Sequence, residues 1–125
     1  MPRDGTRILV ALLLLIAGSV AASGFDHDTI RLLRQQGQIV PLDEIIADAT
    51  RRYSEGRLLE AELDHEPEYG LVYEIKFLDG QDRLRELYYN ARSGELLIYE
   101  IYEIDAQGRL REYAYDARTG QLLAD

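Results

Sequence analysis

A stretch of 27 residues occurs twice without a gap, and this duplication constrains the fold more than any other feature of the chain. Leu71–Leu97 aligns with Leu97–Leu123 at a constant offset of 26, and sixteen of the 27 aligned positions are identical. Tyr73-Glu74-Ile75 returns as Tyr99-Glu100-Ile101, Arg83-Leu84-Arg85-Glu86 as Arg109-Leu110-Arg111-Glu112, and Ala91-Arg92-Ser93-Gly94 as Ala117-Arg118-Thr119-Gly120. Self-similarity at a fixed period marks a repeated supersecondary unit. Inside the first copy Leu71, Tyr73, Ile75 and Phe77 share one face, the period of a half-buried strand. Asp79-Gly80 marks a turn, Leu84 to Tyr89 a second strand, and Asn90 to Gly94 another turn. The unit is one β-hairpin with its outgoing turn, so the sheet is antiparallel.

One more strand precedes the repeat. Leu59, Ala61 and Leu63 alternate with Leu58, Glu60, Glu62 and Asp64 until Glu66-Pro67-Glu68 breaks the run. Before it the period is helical. Pro41 opens a helix where its missing N–H costs nothing, and Asp43 and Glu44 in the first turn suit the helix dipole. Leu42, Ile45, Ile46, Ala49 and Tyr53 form a buried stripe, Arg51 and Arg52 complement the far end, and Gly56 closes it. A shorter helix is expected over Thr29 to Gln36, with Asp28 as N-cap, Ile30 and Leu33 on one face and Gly37 as the stop. The predicted fold class is α+β: an antiparallel sheet of about five strands with one main helix packed on one face, preceded by a short N-terminal helix.

Residues 1–22 read as a cleavable signal peptide. Arg3 and Arg7 supply positive charge, Ile8 to Ala17 is apolar without a charge, and Gly18 to Ser23 are small residues of the kind a signal peptidase accepts. Cleavage is expected after Ala22, within a window of residues 21–23. The competing reading, an uncleaved anchor, needs about 20 apolar residues, and Ile8 to Ala22 is shorter. Export places the mature chain in the periplasm or outside the cell, touching a membrane only through its leader.

The function classes narrow by subtraction. Asp and Glu total 23 against 14 Lys and Arg, a formal charge of −9, and that surface repels nucleic acid. Cysteine is absent, which removes disulfides, thiolate nucleophiles and thiolate metal sites. His27 and His65 are the only histidines, Ser54 and Ser93 the only serines beyond the leader region, and none lies in a catalytic motif. Catalysis is not expected, and no cofactor is called for. Asp26-His27-Asp28 offers cation ligands, but helix capping by Asp28 accounts for it more simply. Asp79, Asp82 and Asp105 fall in turns where short acids belong, and no calcium-loop spacing is present. No metal ligand set is assigned.

Four segments in order, Pro41 to Ile46, Arg57 to Leu63, Leu71 to Lys76 and Asn90 to Leu97, resemble the PepSY domain known from peptidase propeptides and small periplasmic proteins. The resemblance divides the chain into a signal peptide (1–22), a short helix (23–37), a PepSY-like domain (38–97) and a repeated hairpin extending the sheet (98–125). It implies a non-catalytic module that restrains a peptidase or acts on a sensor ectodomain.

The extra hairpin departs from the family pattern. Lys76 and Phe77 of the first copy become Tyr102 and Glu103, so the face carrying Ile98, Tyr102 and Ile104 gains apolar character. The N-terminal helix is expected to fold over that face; the alternative is another chain, with Ile98, Tyr102 and Ile104 as the candidate partner-binding residues. Most of the nine tyrosines are expected to pack across strands, with a minority lining a recognition face. The partner would be another envelope protein, a peptidase or a sensor ectodomain, or an extended peptide. Self-association of the repeated hairpin as a homodimer and weak divalent-cation sensing by the acidic surface are the alternatives.

Overall fold

The period-two alternation resolves into six strands in a computed structural model that describes residues 25–125; the expected leader, residues 1–22, lies outside them. The strands are β1 (Arg57–Glu66), β2 (Gly70–Leu78), β3 (Leu84–Asn90), β4 (Leu96–Ile104), β5 (Leu110–Asp116) and β6 (Leu122–Ala124). Each pairs antiparallel with its neighbour in sequence, so the sheet is a simple meander in chain order. Two helices precede it, α1 (His27–Gln35) and α2 (Leu42–Arg52). No described helix is long and apolar enough to cross a membrane.

The α+β class with an antiparallel sheet stands, but the sheet has six strands rather than about five. β6 has only three residues, too few for an alternation to register. The repeat locates it all the same, because Leu122 and Leu123 copy Leu96 and Leu97, the first residues of β4.

The duplication holds at the level of single hydrogen bonds. Asp79 N–H donates to the Arg83 carbonyl at 2.9 Å, and Asp105 N–H to that of Arg109 at 2.8 Å. In the outgoing turns, Gly94 and Gly120 each donate to the carbonyl four residues earlier at 2.7 Å, with φ of +81° and +76°. The register shifts at Tyr88/Tyr89 against β4 and at Ala114/Tyr115 against β6 recur at the same offset.

Both helices lie on one side of the sheet. Ile45 and Ala49 are fully buried against Leu63, Tyr73, Ile75, Phe77, Leu87 and Tyr89, with Phe25, Ile30 and Leu33 packed at the margin. The stripe expected on α2 is therefore real at its centre, while Leu42, Ile46 and Tyr53 are half-buried. The expectation that the N-terminal helix covers the other face is corrected, since the apolar side chains of α1 join the same cluster as α2. Its N-cap is also one turn position earlier than expected. Asp26, not Asp28, accepts from Thr29 N–H at 2.8 Å, leaving Asp28 to pair with Arg31. Pro41 stands just outside α2 in extended conformation rather than within it.

The opposite face has its own small cluster of Val72, Tyr88, Leu97, Ile98 and Ala114. Tyr69 from the β1–β2 turn and Leu123 and Ala124 from β6 pack onto that cluster from opposite ends of the strand order. The sheet must curl toward this face for both to reach it, in the sense its strand twist favours. Among the described residues neither α1 nor α2 joins this cluster.

Candidate functional site

The two copies of the hairpin meet different surroundings, and the contrast defines a site. In the first copy Tyr73, Ile75, Leu87 and Tyr89 lie beneath the helical layer, 0–2 % exposed. Tyr73 hydroxyl donates to the Val40 carbonyl at 2.6 Å, and Tyr89 hydroxyl donates to Asp48 of α2 at 2.7 Å. At the edge of that layer Arg85 lies over the ring of Tyr53, 4.6 Å from its centre, and bonds Asp79 at 2.8 Å.

The second copy places Tyr99, Ile101, Tyr113 and Tyr115 at the corresponding positions, with Arg111 in place of Arg85. Tyr99 pairs with Tyr115 and Ile101 with Tyr113 across β4 and β5. Tyr99 packs at the margin of the helix-covered core, while Ile101, Tyr113 and Tyr115 are not part of it. Tyr99 and Tyr115 stack on each other, ring centres 5.1 Å apart and planes 18° from parallel. All four are partly exposed. Leu122 is 46 % exposed, whereas its counterpart Leu96 is 6 % exposed in the core. Chemically this is a partly exposed aromatic surface whose tyrosine hydroxyls can donate to a carbonyl or carboxylate.

The sequence-predicted residues lie on the other side. Ile98, Tyr102 and Ile104 do share one face, the one turned away from the helices. Ile98 and Tyr102 are 5 % and 4 % exposed, so they pack inside the curl and offer little to a partner. Ile104 is 66 % exposed and lines an open cleft with Leu84, Tyr102 and Leu110.

The same concave face is lined with carboxylates. Register puts Glu60, Lys76, Glu86 and Glu100 in one row, Glu62 and Glu74 in the next, and Tyr102 opposite Glu112. Glu86 and Glu100 are fully buried and directly opposed. Tyr102 hydroxyl donates to Glu100 at 2.8 Å, while one oxygen each of Glu86, Glu100 and Glu112 and both of Glu74 lack a partner. Burial pushes Glu86 up to about 7 against the pull of Lys76 and the hydroxyls of Tyr102 and Tyr88. Burial, and then the neighbouring Glu86, pushes Glu100 well above the carboxylate range. Burial with Asp64 alongside raises Glu74 to about 9.

Sequence reasoning missed both features. Glutamates alternating with apolar residues read as a solvated strand face, although Glu74/Glu100 and Glu86/Glu112 are identical between copies, a signal that was there to be used. The tyrosine face was hidden because only the tertiary placement of α2 shows which copy it covers. Residues 39–97 match the family model described as the peptidase propeptide and YPEB domain. No curated protein and no solved structure matches the chain.

Proposed function

We propose, from the match of residues 39–97 to the PepSY family model, that the chain is an exported, non-catalytic binding module which captures an amphipathic helix of a partner on the tyrosine face of its second hairpin. One observation supports this above the rest. Ile101, Tyr113 and Tyr115 repeat the positions of Ile75, Leu87 and Tyr89 beneath the helical layer, yet they are not part of the helix-covered core, and Tyr99 reaches only its margin. The family description, a peptidase propeptide, favours a peptidase as the protein restrained, with a sensor ectodomain as the second class of partner. Export rests on the composition of residues 1–22, and N-terminal sequencing of the mature protein tests it.

The binding reading is tested with Tyr113→Asp combined with Tyr115→Asp. These side chains are partly exposed, so the variant should melt within a few degrees of the parent while losing peptidase inhibition and site-specific photocrosslinking from position 101 on the same face. Retained inhibition in a folded variant would refute the face. Crosslinks found only between copies of the chain would replace it with self-association.

A further inference from the structure

At the β1–β2 end of the concave face, well away from the tyrosine surface, three carboxylates converge. Asp64 and Glu66 stand two residues apart on β1 and so point to one side of the sheet. Glu74 reaches them from β2, where its neighbour Val72 is the register partner of Asp64. Oxygens from the three lie within 4.8 Å of one another. Glu66 is opposite Gly70, where even an added Cβ would meet nothing within 4 Å, so there is room beside the cluster.

Glu74 separates this from a chance gathering of surface acids. Its side chain is 2 % exposed and aimed into the cluster, and among the described residues neither of its oxygens meets an N–H or hydroxyl donor. The ammonium on the same face, Lys76, pairs with Glu60 at 3.4 Å. Glu62, directly opposite Glu74, adds a further negative charge. A carboxylate buried in this way takes up a proton, and a coordinated cation displaces that proton and removes the cost of the bare charge. The donors are all oxygen, which selects a hard ion. Calcium binds oxygens at about 2.3–2.6 Å with flexible geometry, so one ion can bridge oxygens this far apart. Asp64 and Glu66 are half-buried, which leaves solvent access to the cluster.

We propose that Asp64, Glu66 and Glu74 bind a calcium ion that ties edge strand β1 to β2 beside the Tyr69 turn. The proposal is independent of any partner protein, so it stands or falls separately from the helix-binding reading. Its test is calorimetric titration and thermal melting of the purified chain with calcium chloride, with magnesium chloride as control. At about 5 mM calcium the melting temperature should rise by about 4–8 °C, and magnesium should give clearly less. Glu74→Gln, which keeps the shape and removes the charge, should abolish the calcium response. If that variant does not fold, Glu66→Gln at the half-buried position must lose most of it instead. No heat and no shift at about 10 mM calcium would overturn the site. So would a full response in Glu66→Gln.

Discussion

Asp79 and Asp105 show how closely the chain repeats itself at single residues, and where the copies diverge. Asp79 accepts from the N–H groups of Gln81 and Arg83 at 2.8 and 3.0 Å, and Asp105 from those of Gln107 and Arg109 at 2.9 and 2.8 Å. Between them, position 82 is an aspartate at φ +61° where the second copy has Gly108 at +81°. Glycine adopts this conformation without the strain a Cβ brings. Asp82→Gly should therefore raise stability by up to about 1 kcal/mol, read by chemical denaturation; a loss would mean the aspartate side chain stabilises the turn. Gly56 is the opposite case, since a Cβ there would collide with the Leu78 carbonyl and the Phe77 ring. Gly56→Ala should cost about 2 kcal/mol or more, because the obstacles include backbone that cannot step aside.

At the scale of elements, the same hairpin is a buried floor in one copy and a partly open face in the other. Tyr89 and Tyr115 are repeat equivalents, but only Tyr89 has a helix above it, bonding Asp48. Tyr89→Phe should cost about 1.5–3 kcal/mol, the usual value of a hydrogen bond to a charged group, whereas Tyr115→Phe should be near neutral. Equal losses in the two variants would mean that the second face is covered in solution. Hydrogen exchange should likewise protect β2 and β3 more than β5 and β6, because apolar cover and central position slow local opening. The hairpins and α2 were legible in the sequence, where alternation and a stripe of Ile45 and Ala49 announce them. The assignment of α1 to the same side as α2 was not, since Ile30 and Leu33 say only that one face is apolar.

For the whole molecule, the buried carboxylates set the response to pH. Glu86 rises from 4.5 to about 7 and Glu74 from 4.5 to about 9, so the folded state holds protons that the unfolded chain releases. Stability is full below about pH 4.5 and is lost as pH rises through the folded values. Asp79 works in the other direction. Backbone N–H groups and Arg85 outweigh its burial and hold it near 2, so its contribution is present above 3.8 and is lost as pH falls toward 2. Melting temperature should accordingly peak at about pH 4–5 and decline toward pH 9. Glu86→Gln should flatten the decline up to pH 7, and an unchanged profile would place the effect elsewhere.

What the sequence determined by itself is the inventory and its order: a helix with an apolar stripe, strands of period two, and a hairpin copied at an offset of 26. These are local properties, written in side-chain spacing and turn residues, and the shared turn residues produce matching turns in both copies. Tertiary structure decided what each copy faces. α2 covers the first copy, so Tyr73 and Tyr89 became core while Ile101, Tyr113 and Tyr115 stayed partly exposed outside it. Glu74, Glu86 and Glu100 were likewise withdrawn from water although alternation marks them as solvent-facing. Burial depends on what approaches from elsewhere in the chain, and no spacing of residues along a strand contains that.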